Sequence, residues 1–273
     1  MKVAIYNLEP KYTNLALEKI RMYYGEVADY IALEHHLYDK IYTSSLFTFS
    51  PKTFVTDDMI CGGTGFDLTT KLPEEIERMK PKINMGFTTR GCIRNCGFCV
   101  VPEKEGKVRV VGDIYDIWDG KSKEITLLDN NILAVPKHFK KICEQLQKEG
   151  LTVDFTQGLD ARLITSYRAR LLGQLKHKKQ VYFAWDCMED GRKIMEAMPS
   201  ILTAIPSYKV SFYILIGYDT TPEEDYLRVH ALRTWGVDSF VMPYDKEDKY
   251  QKRFARWVNH KAIFNSVEWE DYK

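Results

Sequence analysis

Two stretches of the chain, residues 181–185 and 212–216, are apolar at every position instead of alternating between apolar and polar side chains. A strand with one face in water alternates, so a continuously apolar strand indicates burial on both faces. Burial of this kind is typical of parallel sheets that are covered by helices on both sides. The two stretches therefore predict an α/β fold with a parallel sheet.

The segments around these two stretches repeat a strand–helix order. Strand candidates after residue 82 lie at 85–89, 124–129, 152–156, 180–186, 209–217 and 239–244. Helical patterns lie between them at 136–148, 166–175, 190–197 and 222–235. Six strands with helical crossovers predict an open or partial (β/α)6 barrel, a fold whose chemistry lies at the C-terminal ends of the strands.

The first part of the chain has its own strand–helix–strand order. Strands are predicted at 2–6, 41–46 and 58–61, with a helix at 15–24. Pro73 and Pro81 flank a short charged helix at 74–80 and mark a boundary. We therefore predict a small Rossmann-like α/β domain over residues 1–82, the barrel over 83–245, and a C-terminal helix and tail over 246–273.

Composition and charge bear on the expected cellular location and partners of the protein. Of the 273 residues, 45% are hydrophobic and 28% charged, and the net charge of +1 draws the whole chain neither to nucleic acid nor to a membrane. The longest apolar run, 210–217, is too short to span a bilayer, and no secretory signal is visible. We expect a cytoplasmic protein without a membrane partner, whose thiols stay reduced.

Three cysteines, Cys92, Cys96 and Cys99, follow the first barrel strand in a C-x3-C-x2-C spacing. A structural zinc site needs four protein ligands, and no fourth His or Cys follows at a normal spacing. Three unrelated core cysteines are the second alternative, but this loop is polar and contains glycines. The spacing favours the third alternative, an iron–sulfur cluster held by three thiolates with one iron open to a small molecule.

The segment 88–99, TTRGCIRNCGFC, resembles the signature of the radical S-adenosylmethionine (radical SAM) superfamily, including the aromatic Phe98 before the last cysteine. The resemblance covers about residues 83–245. It implies a 4Fe-4S cluster on Cys92, Cys96 and Cys99 whose open iron binds SAM, and reductive cleavage of SAM to a 5′-deoxyadenosyl radical. Methylthiotransferases of this superfamily carry further cluster cysteines in their N-terminal domain, and we do not expect this kind of enzyme because only Cys61 lies there. No second cluster is evident, so the reducing electron is expected from a flavodoxin or ferredoxin-type partner.

The resemblance also implies SAM-binding residues, most of them at the strand ends. The expected set is Phe98, Asp129, Asn130, Gln157, Asp160, Arg162, Gly217 and Met242. Three alternatives stay open: a turn that caps the next helix at 128–131, a surface ion pair for Asp160 and Arg162, and plain core at 214–218. We assign no catalytic residue.

The N-terminal part resembles a shortened form of the cobalamin-binding domain that precedes many radical SAM barrels. It lacks the Asp-x-His-x-x-Gly motif, because His35 and His36 do not have that spacing. We therefore do not expect cobalamin, and favour a degenerate domain that caps the barrel or binds substrate. Residues 62–65, GGTG, predict a tight turn, and Cys61 and Cys143 are interpreted as core residues.

The tail carries Lys249, Arg253, Arg256 and His260 at helical spacing, and Tyr250, Phe254 and Trp257 on the adjacent face. It predicts either a packed amphipathic helix or a basic, aromatic-edged surface for nucleic acid. The predicted function is a radical SAM enzyme that modifies a small molecule, a nucleoside or a nucleic acid. The alternatives are a non-enzymatic iron–sulfur protein that senses redox state or binds nucleic acid, and a cobalamin-dependent radical SAM methyltransferase.

Overall fold

The computed structural model describes residues 1–272 and consists of helices packed against parallel sheets. The N-terminal sheet has the strand order β2-β1-β3-β4, with all pairs parallel. Its strands are β1 (Val3–Asn7), β2 (Val27–Asp29), β3 (Lys40–Ser44) and β4 (Ile60–Gly62). Its helices are α1 (Leu15–Tyr24) and α2 (Glu74–Glu77). Strand β2 is absent from the predicted strands, because two half-buried residues and one exposed residue carry no strand pattern.

Helix α1 forms because its first turn is capped and its inner face is apolar. Asn14 accepts a hydrogen bond from the backbone amide of Ala16 at 3.1 Å. Leu17 and Ile20 are buried and share a small core with Ile5 of β1. The N-terminal sheet is thus covered on this face.

Two further four-stranded parallel sheets and one hairpin make up the centre of the molecule. The remaining strands are β5 (Met85–Gly86), β6 (Thr89–Arg90), β7 (Arg109–Val110), β8 (Glu124–Leu127), β9 (Thr152–Phe155), β10 (Leu159–Asp160), β11 (Lys176–His177), β12 (Val181–Ala184), β13 (Val210–Ile216) and β14 (Asp238–Pro243). One sheet has the order β11-β9-β8-β5 and the other β10-β12-β13-β14, while β6 and β7 pair antiparallel.

Helices follow most of these strands. They are α3 (Val101–Glu105), α4 (Ile114–Ile117), α5 (Pro136–Glu149), α6 (Ser166–Gly173), α7 (Gly191–Ala204), α8 (Pro222–Thr234), α9 (Lys249–Asn259) and α10 (Lys261–Ser266). Short 3-10 helices occur at Ala32–Leu37, Ile132–Ala134, Ala161–Leu163, Met188–Asp190, Ser207–Lys209 and Trp269–Asp271.

The continuously apolar strands lie where their sequences predict, but only one face is fully buried, and Tyr182, Ala184, Tyr213 and Leu215 on the other face are half-buried. Phe183 of β12 and Phe212 of β13 are in parallel register and their rings stack with centroids 5.3 Å apart. Both belong to one large core with Phe139 and Ile142 of α5. The predicted α/β fold with parallel sheets is confirmed.

A buried ion pair ties α8 to the carboxyl ends of β12 and β13. Arg228 donates to Asp225 at 2.6 Å and, at 2.9 Å each, to the carbonyl oxygens of Trp185 and Leu215. Both charged side chains are fully buried. Tyr250 of α9 donates to the second carboxylate oxygen of Asp225 at 3.1 Å. The strand ends that frame the cysteine loop are therefore held by a buried charge network.

The tail forms two helices where the sequence predicts one. Phe254 and Trp257 are buried in the large core, and the Arg253 guanidinium lies 4.6 Å from the ring centroid of Trp269. The predicted aromatic-edged nucleic-acid surface is wrong here, because its rings pack inward. The packed amphipathic helix is confirmed.

None of the helices within residues 1–272 is both long and apolar enough to cross a lipid bilayer.

Candidate cofactor site

The three cysteines lie in the loop between β6 and α3. Gly91 has a φ of 80°, and a Cβ atom at this position would overlap the carbonyl oxygens of Gly106 and Lys107. Only glycine permits this turn. The backbone amide of Cys92 donates to the Gly106 carbonyl at 3.1 Å, which ties the start of the loop to its end.

A buried carboxylate positions the residues just before the loop. Asp129, after β8, accepts hydrogen bonds from the backbone amide and hydroxyl of Thr88 at 3.2 and 2.7 Å, and of Thr89 at 2.5 and 2.7 Å. Burial raises the pKa of Asp129, and the hydrogen bonds from the threonines offset this only in part. The Asp129 carboxylate, expected to bind SAM, here contacts the chain itself.

A second buried carboxylate, Asp160, joins the loop to the strand ends. It accepts from Arg94 at 3.0 Å, from Arg162 at 2.6 Å and from Asn131 at 3.3 Å. Burial alone would raise the pKa of Asp160, but Arg162 and Arg94 outweigh it and hold the pKa below its usual value. Arg162 also pairs with Asp190 at 2.5 Å. Since Asp160 is buried, the surface ion pair considered as an alternative is wrong.

The neighbourhood of Cys92 contains polar atoms without a partner. Its Sγ accepts from the backbone amide of Arg94 at 3.3 Å and from the Asn131 side chain at 3.5 Å. Asn131 Oδ1 and Asn130 Nδ2 are buried and have no hydrogen-bond partner within residues 1–272. Buried polar atoms are nearly always satisfied, so each of these two atoms retains the capacity for one hydrogen bond to an added polar group.

The other two thiols are half-buried beside the first. Burial raises the pKa of Cys96 and Cys99, and the Arg162 charge partly offsets the shift at Cys96. In the described part of the chain no three His, Cys, Asp or Glu side chains converge on one metal-ion position. Ligands of a four-iron cluster bind different iron atoms and so need not converge on one point. The donor set and the unpaired amides fit a cluster with an additional polar ligand.

The remaining three cysteines lie outside the loop. Cys143 is fully buried in α5, where burial raises its pKa to about 12, so its interpretation as a core residue is confirmed. Cys61 in β4 is half-buried and its Sγ donates to the Met59 carbonyl at 3.7 Å. Cys187, after β12, is half-exposed and near enough for its charge to act on Cys96.

The aromatic residue of the motif packs on the second central sheet. The Phe98 ring meets the Tyr218 ring edge-on with centroids 5.4 Å apart. A Cβ atom on Gly97 would overlap the Tyr218 hydroxyl, whereas the next ring atom would be 3.4 Å away. An alanine at position 97 would therefore force the end of the Tyr218 side chain to shift.

Replacing Gly97 with alanine is expected to lower the free energy of unfolding by less than about 1 kcal/mol, because the exposed end of the Tyr218 side chain can shift to make room. The double variant Gly97→Ala/Tyr218→Phe should recover most of this loss, because it removes the clashing oxygen. Urea denaturation measures both, with Tyr218→Phe alone as the control. No recovery in the double variant would show that the cost lies elsewhere.

The other residues predicted at the strand ends lie outside the hydrogen-bond network of Asp160. Gln157 is exposed, and its side chain forms no hydrogen bond within the described residues. Met242 is half-buried and lies opposite Leu215 in the β13–β14 register. The Gly217 amide donates to the Thr220 hydroxyl at 3.3 Å, and a side chain on Gly217 would overlap Gln251. These three residues do not join the Asp160 network.

Three members of the Asp160 network were not predicted as site residues. Arg94 lies between two cysteines of the motif. A cation at this position favours a carboxylate nearby, and this charge is the sequence signal that could have identified Arg94. Asn131 belongs to the run 128–131 that the sequence analysis considered. Asp190 belongs to no recognisable sequence motif, and it lies beside Arg162 only because of the fold.

A cavity of about 340 Å³ lies between α1, α2 and β5, and no cysteine lines it. Its charges are paired: Lys19 with Glu77 at 2.9 Å, Arg90 with Glu77 at 2.6 Å, and Lys80 with Asp116 at 3.0 Å. It therefore offers few free charges to a ligand, and the cysteine loop remains the candidate site.

Comparison with known proteins confirms the predicted resemblance to the radical SAM superfamily. The relatives found are tRNA-2-methylthio-N(6)-dimethylallyladenosine synthases, so the chain is similar to methylthio-forming enzymes although the N-terminal cysteine count argues against such a resemblance. The protein from Flavobacterium psychrophilum is 44% identical over 59% of this chain and 42% of its own length. The protein from Syntrophobacter fumaroxidans is 23% identical over 66% of this chain and 51% of its own length.

A third relative, from Flavobacterium johnsoniae, is 44% identical over 26% of this chain and 17% of its own length. The chain thus spans about half or less of the curated relatives that it matches. No protein-family model matches the chain.

Proposed function

We propose that this chain is a radical SAM enzyme that holds a 4Fe-4S cluster on Cys92, Cys96 and Cys99. The observation that carries the proposal is the placement of this loop beside Asn130 and Asn131, whose buried amide atoms lack partners. When bound, the cluster and SAM would supply a 5′-deoxyadenosyl radical through one-electron reduction. An electron donor of the flavodoxin or ferredoxin type is part of the proposal.

We also propose that the two central sheets form the partial (β/α)6 barrel, flanked by the domain over 1–82 and the tail over 246–273. The parallel pairings β5-β8-β9 and β12-β13-β14 support it, because their spatial order follows the chain order. Strand β10 follows β9 after three residues and pairs with β12, so the chain passes from one sheet to the other.

Within this site the chain's own residues orient the loop and bind SAM. Asp129 fixes Thr88 and Thr89, and Asp160 holds Arg94 inside the loop. The unpaired Asn131 Oδ1 can accept a hydrogen bond from an ammonium group, and the Asn130 amide can donate one to a carboxylate. These two atoms match the two polar ends of the amino acid part of SAM.

We propose a nucleoside of tRNA as the substrate. The support is the printed names of the relatives, which are synthases of a tRNA adenosine derivative. Because the chain spans about half or less of those proteins, the reaction outcome on the nucleoside is a separate question from SAM cleavage.

Anaerobic reconstitution with iron and sulfide, followed by SAM and dithionite, tests the proposal. Release of 5′-deoxyadenosine is the expected result. A reconstituted cluster that neither binds nor cleaves SAM would leave a non-enzymatic iron–sulfur protein. With a tRNA transcript added, a mass shift in one nucleoside of the digested RNA is expected, and unchanged nucleosides with intact SAM cleavage would contradict only the substrate.

A further inference from the structure

A run of exposed aromatic side chains leads across the N-terminal part of the molecule toward the cysteine loop. Tyr12 meets Phe47 edge-on with centroids 5.5 Å apart, and Phe47 stacks on Phe49 at 5.2 Å and 12°. Phe49 is 68% exposed. Large rings left in water in a connected group mark interaction sites more often than scattered surface residues do.

The run continues on the carboxyl edge of the second central sheet. Tyr244, after β14, meets Tyr218 edge-on at 4.9 Å, and Tyr218 meets Phe98 of the cysteine loop. Tyr244 is 54% exposed and Tyr218 is 40% exposed. The rings therefore reach the proposed cofactor site.

Lys246 connects the two halves. Its Nζ lies 4.4 Å from the ring centroid of Phe49, and it follows Tyr244 by two residues. We define the aromatic–lysine surface as the set that spans both halves: Tyr12, Phe47, Phe49, Tyr218, Tyr244 and Lys246.

The charges along this surface are mixed, and its cations are unpaired. Lys11, Lys52 and Lys246 are exposed and form no ion pair within residues 1–272. Two of the nearby acids are engaged: Glu9 is buried and accepts from Ser45 and from the Leu46 amide, and Glu247 pairs with Lys252 at 2.8 Å. Asp219 and Asp245 are exposed and form no ion pair within residues 1–272, and Asp245 accepts from the Glu247 amide at 2.8 Å.

Exposed rings with free lysines between them fit an unpaired RNA segment better than a protein partner. Bases stack on aromatic rings, and ammonium groups meet the phosphates between the bases. A helical RNA stem hides its bases and gains nothing from the rings.

We propose that the aromatic–lysine surface binds an unpaired RNA segment, with bases on Phe49 and Tyr244 and phosphates at Lys11, Lys52 and Lys246. This deepens the proposed function and rests on it, since the surface would guide a loop of the tRNA toward the cysteines.

The test uses the full chain and two labelled RNAs, a hairpin with an adenosine-rich loop and a fully paired duplex of the same length. The parent protein is expected to bind the hairpin more tightly than the duplex. Phe49→Ala and Tyr244→Ala should each weaken hairpin binding roughly 5- to 100-fold, from the loss of one stacked base. Lys246→Gln should lower the slope of log affinity against log salt by about 0.7.

Tyr208→Ala is the matched control, because Tyr208 is 69% exposed but lies just before β13, at the opposite edge of the sheet. It should leave hairpin binding unchanged. Equal affinity for hairpin and duplex, no binding by the parent, or unchanged binding by Phe49→Ala and Tyr244→Ala would each overturn the proposal. SAM cleavage by the parent without RNA is measured in parallel, so a failure of the proposed function shows up separately.

Discussion

Cys96→Ala protein reconstituted anaerobically is expected to retain little of the iron and sulfide that the parent protein binds, and to release no 5′-deoxyadenosine. A cluster held by three thiolates has no spare protein ligand, and loss of one leaves two iron atoms open. Iron and sulfide assays with visible absorption measure the effect. This is the largest expected change, because it concerns the presence of the cofactor.

Two further cysteine variants make this test specific. Cys143 is fully buried in α5, so Cys143→Ala should leave the iron content unchanged while perturbing the core. Cys187 lies near Cys96 but outside the loop, and Cys187→Ala should also keep its iron. If Cys96→Ala bound as much iron as the parent, or Cys187→Ala lost as much as Cys96→Ala, the ligand assignment would be wrong.

Arg228→Met is expected to lower the free energy of unfolding by about 3–5 kcal/mol, the usual loss when one partner of a buried ion pair is removed. Asp225 would keep a buried charge without its cation, and the carbonyls of Trp185 and Leu215 would lose their donor. Chemical denaturation measures the loss.

Arg233→Met on the same helix is the matched control. Arg233 is 30% exposed and pairs with the more exposed Glu268 at 3.2 Å, so its loss should cost less than about 1 kcal/mol. The double variant Arg228→Met/Asp225→Leu should recover part of the stability, since no charge then remains buried without a partner. Equal losses for Arg228→Met and Arg233→Met would contradict the structural role of the buried pair.

The parts of the fold that were predictable are those with a strong local pattern. The continuous apolar run of β13 predicts its burial, and Thr221, Pro222 and Glu224 mark the start of α8 through a capping box. Strands of two or three residues, such as β2, β6 and β7, carry no such pattern. Their existence depends on the neighbours with which they pair.

The position of the candidate site was predictable from the cysteine motif, whereas the residues that support the loop were less so. The cysteine spacing is local, whereas Arg94 and Asp160 are 66 residues apart in the chain and meet only through the fold. The tail shows a different limit of local patterns. Helical spacing correctly places Phe254 and Trp257 on one face, but it does not reveal whether that face is covered.

The four hydrogen bonds of Asp129 to Thr88 and Thr89 have a consequence for how the site would bind the proposed cluster. The chain entering the cysteine loop is immobilised when the protein folds, so the conformational entropy of these residues is not lost again on binding. A preorganised entrance of this kind favours tighter association than a disordered loop with the same three thiols would achieve.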